Sequence, residues 1–474
     1  MPRTVTLPPI SRIEGHGRVS LFLDDEGRVA DAHFNVIEFR GFEKFVEGRM
    51  VWEMPLITSR VCGICPVSHH VAAVKAVDDL LGVEIPRPAR LLRELLQTAG
   101  FLHDHALHFF FLAGPDILTG VDPASRNLLG VVNAYPELAA KAIAMRKVGQ
   151  RVVAAVGGQA GHPVTAIPGG MSIALDRGVR DELLAACREV LPHSLEAERL
   201  ARECTLRLLA EHPGFASTPT PFLAMLRGGD VFDLYDGDLV ASKADGTRLA
   251  PFPVGEFFDR VDETVLPWSY CKVPYLTEFG PEAGRYRVGP LARVGLARTM
   301  GSELADGLRA EFESELGHSV QSALAYHWAR MIELVAAFER VIALFEDEDV
   351  VSPDVRVKVE RRSGVGVGAV EAPRGTLVHR YEADEVGRVT SARLVVATTQ
   401  NNAAINAAVL DAVRGARLDE GALDDAVVRR MELGIRAYDP CLSCSTHEAG
   451  RVPLAVEVVA SDGSVLVSRG VGSE

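Results

Sequence analysis

Residues 60–65 read RVCGIC, and residues 439–447 read DPCLSCSTH. Each stretch contains a Cys-x-x-Cys pair, and two cysteines at this spacing can turn both sulfurs toward one metal ion. The pairs Cys62/Cys65 and Cys441/Cys444 lie near opposite ends of the chain. A shared ion would therefore require a fold that brings the end of the chain back to its beginning.

Three kinds of site use such cysteine pairs. A structural zinc site is the commonest, although zinc ribbons place their pairs closer together, in small domains that need the metal to fold. A thioredoxin-like redox motif needs only one pair. A redox-active transition metal is the third, because soft thiolates suit such ions. The cysteines alone fit zinc and a redox metal equally well.

The composition is that of an ordinary large globular protein. The 474 residues are 47% hydrophobic and 24% charged, with a formal net charge of -14. An acidic chain repels phosphate backbones, so no nucleic-acid partner is expected. No apolar run reaches the roughly 18 to 20 residues of a membrane span, and the first residues do not resemble a signal peptide.

Seven cysteines are too few for a disulfide scaffold in a chain of this length. The three that are not paired, Cys187, Cys204 and Cys271, are expected to be buried, inert thiols.

Hydrophobic periodicity predicts an α+β fold, with a large helical core and β-hairpins or small sheets from both ends of the chain. Helices are predicted over 65–81, 88–113, 181–212 with a break near Pro192, and 402–417, with one or two more over 302–346. Strands are predicted around the turns at 24–27, 384–387 and 461–463. The stretch GVGVG at 364–368 leads into a strand rather than a helix N-terminus, so no NAD site is predicted in this chain. We expect residues 1–447 to form one compact domain and residues 448–474 an extension.

The residues that flank the cysteines resemble the large, catalytic subunit of nickel–iron hydrogenases. Five motifs occur in the family's order: RIEGH at 12–16, RGFE at 40–43, RVCGIC at 60–65, APRG at 372–375 and DPCLSCSTH at 439–447. The resemblance favours a redox metal over zinc. It implies the nickel–iron hydrogenase large-subunit fold and the heterolytic cleavage or formation of dihydrogen.

The resemblance also implies a set of ligands. Cys62, Cys65, Cys441 and Cys444 would all bind nickel, and Cys65 and Cys444 would bridge to an iron that carries carbon monoxide and cyanide. Glu43, His447 and a carbonyl near Asn402 would hold a second ion, magnesium or a similar divalent cation.

Further roles near the metals follow from the same resemblance. Glu14 would relay a proton from Cys441, Arg374 would lie over the open side of the site, Asp104 and Asp439 would orient Arg374, and His69 would hydrogen-bond a bridging sulfur. Judged without the family, Glu14 is expected to be a solvated or helix-capping carboxylate, and Arg374 an arginine in a turn. The remaining candidates, His103, His105 and His108, are not spaced to converge on one ion and are expected to be packing or interface residues.

The resemblance also bears on maturation and partners. The family's mature chain ends at the position of His447, so residues 448–474 would be removed by an endopeptidase after nickel-insertion proteins have acted. A permanent C-terminal hairpin is the alternative. No cysteines remain in this chain for an iron–sulfur cluster, so electrons would leave through a separate small iron–sulfur subunit.

Details favour the cytoplasmic, bidirectional, NAD-linked branch, which adds flavin and NAD diaphorase subunits. They are VIEFRGFE at 36–43, CPVSHH at 65–70, VATTQNN at 396–402 and EAGRVPL at 448–454. Within the family, the alternative is another acceptor, such as NADP or a heterodisulfide reductase partner. Outside it, the chain could be a hydrogen sensor or a non-catalytic subunit like that of respiratory complex I, which generally lacks the four cysteines.

Overall fold

Helices and short antiparallel sheets alternate along the chain. A computed structural model describes residues 11–37, 41–119, 125–266, 268–417 and 423–445, and the backbone of strands at 4–6, 455–459 and 465–470. The helices are α1 Phe42–Phe45, α2 Met54–Thr58, α3 Pro66–Leu81, α4 Arg87–Leu107, α5 Gly114–Leu118, α6 Leu128–Ala134, α7 Pro136–Gly157, α8 Arg177–Glu211, α9 Phe257–Arg260, α10 Gly280–Ala283, α11 Pro290–Leu296, α12 Glu303–Leu316, α13 Tyr326–Glu346, α14 Ala397–Val413, α15 Asp425–Ala437 and α16 Leu442–Ser445. The strands are β1 Thr4–Thr6, β2 Gly17–Leu23, β3 Val29–Val36, β4 Ala166–Ile167, β5 Gly170–Met171, β6 Leu223–Arg227, β7 Val231–Phe232, β8 Asp238–Ala241, β9 Val261–Thr264, β10 Val273–Leu276, β11 Gly364–Ala372, β12 Gly375–Ala383, β13 Val389–Val395, β14 Ala455–Val459 and β15 Val465–Gly470.

Four long helices form the centre of the fold. Helix α4 packs against α7 and α13, and α8 packs against the same two helices, so the four close into a bundle. Long apolar helices of this kind gain most of their stability from packing one face against neighbours. The bundle supplies a rigid wall that carries Asp104 on α4.

Small antiparallel sheets surround the bundle. The N-terminal sheet has the order β1-β2-β3, and a second sheet has the order β11-β12-β13. Helix α3 packs directly on β11. A Cβ atom added to Gly368 would lie 2.3 Å from the Ala76 backbone nitrogen. The GVGVG stretch is therefore a strand whose glycines allow close contact with a helix, not a nucleotide-binding loop.

The elements agree with most of the sequence predictions. The predicted α+β class, the hairpins at both ends and the helices over 65–81 and 88–113 are confirmed. Residues 302–346 form two helices, which are separated by residues 317–325. The burial of Cys187, Cys204 and Cys271 is also confirmed. The predicted break near Pro192 is wrong: α8 runs unbroken from Arg177 to Glu211. Packing of α8 against α7 and α13 outweighs the cost of about 3 kcal/mol for an internal proline.

Among the described residues, no helix combines the length and the apolar character needed to cross a membrane.

Candidate metal centre

The four paired cysteines converge in the interior. Successive sulfurs form a closed ring: Cys62 to Cys65 at 3.1 Å, Cys65 to Cys444 at 3.1 Å, Cys444 to Cys441 at 2.9 Å, and Cys441 to Cys62 at 3.4 Å. All four are free and buried, and their sulfurs lie within 4.8 Å of one another. Tetrahedral zinc with bonds of about 2.3 Å would hold its sulfurs about 3.8 Å apart. The four sulfurs are thus close enough together for one ion to contact all of them.

Local structure explains how each pair is placed. Cys65 is the N-cap of α3, a position where a thiolate is stabilised by the helix N-terminus. The backbone N–H groups of Ile64 and Cys65 donate to the Cys62 sulfur at 3.2 and 3.1 Å. Cys441 precedes α16 and pairs with Glu14 in a parallel bridge, in which Leu442 N donates to the Glu14 carbonyl at 2.9 Å. The end of the chain is thus attached to its beginning.

The electrostatics of the ring call for bound cations. Burial, together with the neighbouring sulfurs, raises the pKa of Cys441 and of Cys444 well above the usual range of a thiol. Four thiolates cannot all be ionised in one buried place unless positive charge is present. Metal ions supply that charge, and soft sulfur donors suit nickel and iron. The donor set therefore fits the implied nickel–iron group, with all four cysteines as its ligands.

Glu14 lies at the edge of the ring. Its Oε2 atom accepts hydrogen bonds from the Cys441 sulfur at 3.2 Å and from the Ser443 backbone N–H at 2.8 Å. Burial and the nearby Cys62 charge raise the pKa of Glu14, which favours its neutral form more than in water. A carboxyl in this position can exchange a proton with the Cys441 sulfur.

An ionic cluster anchors the segment that carries Glu14. Arg12 pairs with Asp116 at 2.7 Å, and Arg436 pairs with the same carboxylate at 2.6 Å. Arg436 also donates to the Ser11 carbonyl at 2.7 Å. These contacts tie residues 11–14 to α5 and α15, so the position of Glu14 depends on two helices that lie far apart in the sequence.

Arg374 occupies the tip of a two-residue hairpin, because Ala372 pairs with Gly375 across β11 and β12. Its Nη1 donates to Asp104 Oδ2 at 3.0 Å, and its Nη2 and Nε donate to Asp439 Oδ1 at 3.1 Å and to the Asp439 carbonyl at 2.8 Å. Burial alone would lower the pKa of Arg374, but Asp104 and Asp439 hold it well above the usual range. Arg374 is therefore a permanent cation here, which disfavours any role as a base.

A cavity joins these groups. It is lined by Cys65, His69, Ala372, Arg374, Leu377, Val396, Ala397, Thr398, Cys441 and Cys444. Three sulfurs and one guanidinium thus face a small space with mostly apolar walls. Such a space suits a small uncharged substrate better than a polar one.

Some residues near the cavity were not found from the sequence. The Thr398 hydroxyl accepts the Cys441 backbone N–H at 2.9 Å. Arg293 donates to the carbonyls of Ala372 and Pro373 at 2.9 and 3.1 Å, and so supports the hairpin of Arg374. Thr398 lies within the quoted VATTQNN stretch. Arg293, among apolar residues of α11, has no local signature that would have identified it.

Two ion pairs complete the support from Arg293. It bonds Glu333 at 2.5 Å and Glu371 at 2.6 Å, and all three side chains are fully buried. Removing one member would leave an unpaired buried charge, which costs several kcal/mol.

The structure also places the remaining candidates. His105 bonds Glu333 at 3.0 Å and His108 bonds the Arg436 carbonyl at 2.8 Å, while His103 is buried on the same helix, as expected for packing residues. Glu43 accepts the Leu394 backbone N–H at 2.7 Å, and the Asn402 carbonyl accepts from the Asn406 side chain at 2.9 Å. His447 lies outside the described residues, so the divalent-ion site stays a prediction.

The fold and the ring of buried sulfurs define a metalloprotein with a thiolate-bound centre that joins the two ends of the chain. A family model described as nickel-dependent hydrogenase matches residues 40–128 and 255–447, and one described as HoxL-like matches residues 4–39. The NAD-reducing hydrogenase HoxS subunit beta of Cupriavidus necator is 38% identical over 99% of this chain and 100% of that protein. One subunit of the F420-non-reducing hydrogenase vhu of Methanocaldococcus jannaschii is 42% identical over 86% of this chain and 98% of that protein.

Comparison with a solved structure shows a similarity to the same kind of protein. The crystal structure of an NAD⁺-reducing [NiFe]-hydrogenase in its H2-reduced state matches with a TM-score of 0.90 and 40% identity, over 94% of this chain and 99% of that one. The chain belongs to the nickel-dependent hydrogenase large-subunit family and is the catalytic subunit of a nickel–iron hydrogenase. The predicted family and fold are confirmed.

Proposed function

We propose that this subunit interconverts dihydrogen with protons and electrons, that Glu14 carries the proton from Cys441, and that the electrons pass through a small iron–sulfur subunit to NAD. The observation that carries the proton route is the contact of 3.2 Å between the Cys441 sulfur and Glu14 Oε2. A nickel–iron pair, with carbon monoxide and cyanide on its iron, supplies the redox chemistry and Lewis acidity when bound.

The residues of this chain would then have separate roles in moving the proton and in stabilising charge. The Cys441 sulfur accepts a proton, and Glu14 Oε2 takes it away from the cavity. Arg374, held by Asp104 and Asp439, keeps a fixed positive charge over the cavity and so stabilises negative charge that develops there. Its three hydrogen bonds leave it little freedom, which is the preorganisation that such stabilisation needs.

The electron acceptor is the finer part of the proposal. The NAD-reducing relative and the NAD⁺-reducing structure both match nearly the whole chain. This favours NAD, and with it flavin and NAD diaphorase partners in a cytoplasmic complex. The F420-non-reducing relatives are equally similar in identity, so another acceptor such as NADP or a heterodisulfide reductase partner is the second candidate.

We further propose a divalent ion, magnesium or similar, held by Glu43, His447 and a backbone carbonyl near Asn402. We also propose that an endopeptidase removes residues 448–474 during maturation. Oxygen ligands from a carboxylate and a carbonyl suit magnesium. Mass spectrometry of the mature subunit tests the cleavage: a chain that still ends at Glu474 in active enzyme would contradict it.

The test of the metal centre is elemental analysis combined with assay. The purified complex should contain nickel and iron and should reduce NAD with hydrogen faster than NADP. Cys441→Ser should lose nickel, whereas Cys187→Ala, which alters a buried thiol far from the ring in sequence, should retain it. Zinc without nickel, or no hydrogen-dependent reduction of any acceptor including viologen, would overturn the proposal.

A further inference from the structure

A chain of buried hydrogen bonds leads away from the cavity on the side of His69. His69 Nδ1 lies 3.2 Å from His379 Nε2, and His379 Nδ1 lies 2.7 Å from the Tyr381 hydroxyl. All three side chains are at most 1% exposed. His379 and Tyr381 are two residues apart on β12, so they lie on the same face of the strand that begins directly after Arg374.

The Tyr381 hydroxyl lies at the far end of this chain. A phenol hydroxyl can either donate its one proton to His379 Nδ1 or accept a proton from it, so the bond between Tyr381 and His379 has two possible directions.

Each choice sets the tautomers of both histidines. If Tyr381 donates to His379 Nδ1, then His379 donates from Nε2 to His69 Nδ1, and His69 carries its proton on Nε2. If Tyr381 instead accepts from His379 Nδ1, both bonds reverse, and His69 Nε2 carries a lone pair in place of a proton. A neutral imidazole has one donor and one acceptor nitrogen, so two neutral histidines allow these two arrangements.

The cavity decides between the two arrangements. His69 lines it together with Cys65, Cys441 and Cys444. Metal-bound thiolate sulfurs only accept hydrogen bonds, so a bare nitrogen facing them would oppose lone pair to lone pair. An N–H group facing them is favourable.

We infer that His379 and Tyr381 are positioning residues that hold His69 in its Nε2–H tautomer, so that its N–H faces the cysteine sulfurs of the metal centre. The inference rests on the proposed function, because it needs metal-bound thiolates. It assigns a task to two residues that act through His69. Hydrogen bonds to ligating sulfurs weaken their electron donation and so tune the metal.

The test uses the infrared bands of carbon monoxide and cyanide in the purified holoenzyme. The positions of these bands report electron density at the iron, and they do not depend on the fraction of the protein that contains the metal centre. Tyr381→Phe removes the donor at the far end, and His379→Leu cuts the chain in the middle. Each should move the carbon monoxide band to lower wavenumber, since sulfurs that lose a hydrogen bond donate more density to the iron. The double variant should show no shift beyond that of His379→Leu.

Tyr235→Phe is the matched control, because Tyr235 is also a buried tyrosine and lies near Arg93, outside the chain of His69, His379 and Tyr381. It should leave the bands in place. Unmoved bands in Tyr381→Phe, or shifts that add in the double variant, would overturn the inference while leaving the proposed function intact. A wild-type holoenzyme without such bands would overturn the proposed function and, with it, this inference.

Discussion

At the scale of single residues, the two hydrogen bonds of Glu14 make a sharp prediction. In Glu14→Gln, the amide oxygen can still accept from Ser443 N–H, but the side chain can no longer take a proton from Cys441. Hydrogen–deuterium exchange activity should fall about 100-fold to 10,000-fold, the usual value of a positioned acid or base. Nickel and iron content should stay at the wild-type level, since Glu14 is not a ligand.

The same variant can disprove the role of Glu14. Full exchange activity with normal metal content would mean that the Cys441 proton leaves by another route. Loss of metal as well as activity would mean that Glu14 supports the fold of the ring rather than moving a proton.

Arg374→Lys tests whether the positive charge of Arg374 is sufficient without its hydrogen-bond geometry. Lysine keeps the positive charge but, as a single ammonium group, cannot reproduce the three bonds to Asp104 and Asp439. Turnover with saturating hydrogen should fall roughly 100-fold, with metal content unchanged. Wild-type turnover in this variant would show that charge alone is sufficient.

The residues nearest the metal centre could be predicted from the sequence only where a motif marked them. The four cysteines, Glu14 and Arg374 stand in recognisable stretches, and the structure brings them together. His379 and Arg293 stand alone in ordinary apolar surroundings. Their contacts come from strands and helices far apart in sequence, so no local pattern could reveal them.

At the scale of elements, the contact between α3 and β11 positions Cys65. Gly368→Ala would place a methyl group 2.3 Å from Ala76 N and 2.5 Å from Ala72 O, which are backbone atoms that cannot move aside without moving α3. The free energy of unfolding should fall by about 1–3 kcal/mol, as for other overpacked sites. Nickel retention should fall too, because Cys65 caps the N-terminus of α3.

The control is Gly307→Ala on the exposed face of α12, where an added Cβ meets nothing within 4 Å. It should raise the free energy of unfolding by up to about 1 kcal/mol, because alanine is the better helix former. Thermal denaturation of both variants beside the wild type measures the difference. Equal stability of the two variants would contradict the close-packing argument.

The elements themselves were largely predictable, because apolar periodicity and turn residues act locally. The hairpins around residues 24–27 and 461–463 follow from such turns. The error at Pro192 has the opposite cause. A proline signals a break when only its own neighbourhood is considered, but two long helices packed along α8 keep it continuous.

At the scale of the whole molecule, the burial of histidines makes the free energy of unfolding depend on pH. His70 is held between the Pro55 carbonyl and the Ala166 N–H, and burial lowers its pKa from 6.5 to about 4. Between these two pH values, His70 is protonated in the unfolded chain but remains neutral in the folded chain. Stability should therefore fall as the pH decreases from about 6.5 to about 4, by about 3 kcal/mol from this residue.

Urea unfolding of the wild type and of His70→Gln at several pH values tests this prediction. The variant is less stable at neutral pH, since it loses well-placed bonds, but its stability should decline less between pH 6.5 and pH 4. Parallel curves for the two proteins would show that His70 does not contribute to the acid sensitivity. His105, with a pKa lowered by burial to about 4, adds to the slope that remains in the variant.

The attachment of the end of the chain to its beginning has a consequence for protein synthesis. The two cysteine pairs are 379 residues apart. At about 5–20 residues per second, the ribosome needs roughly 20 to 75 seconds to make the second pair after the first. During that time Cys62 and Cys65 have no partners, so no ion can gain all four of its sulfurs. Complete coordination by four sulfurs is therefore possible only after the second pair has been made, and until then the first two thiols must stay reduced.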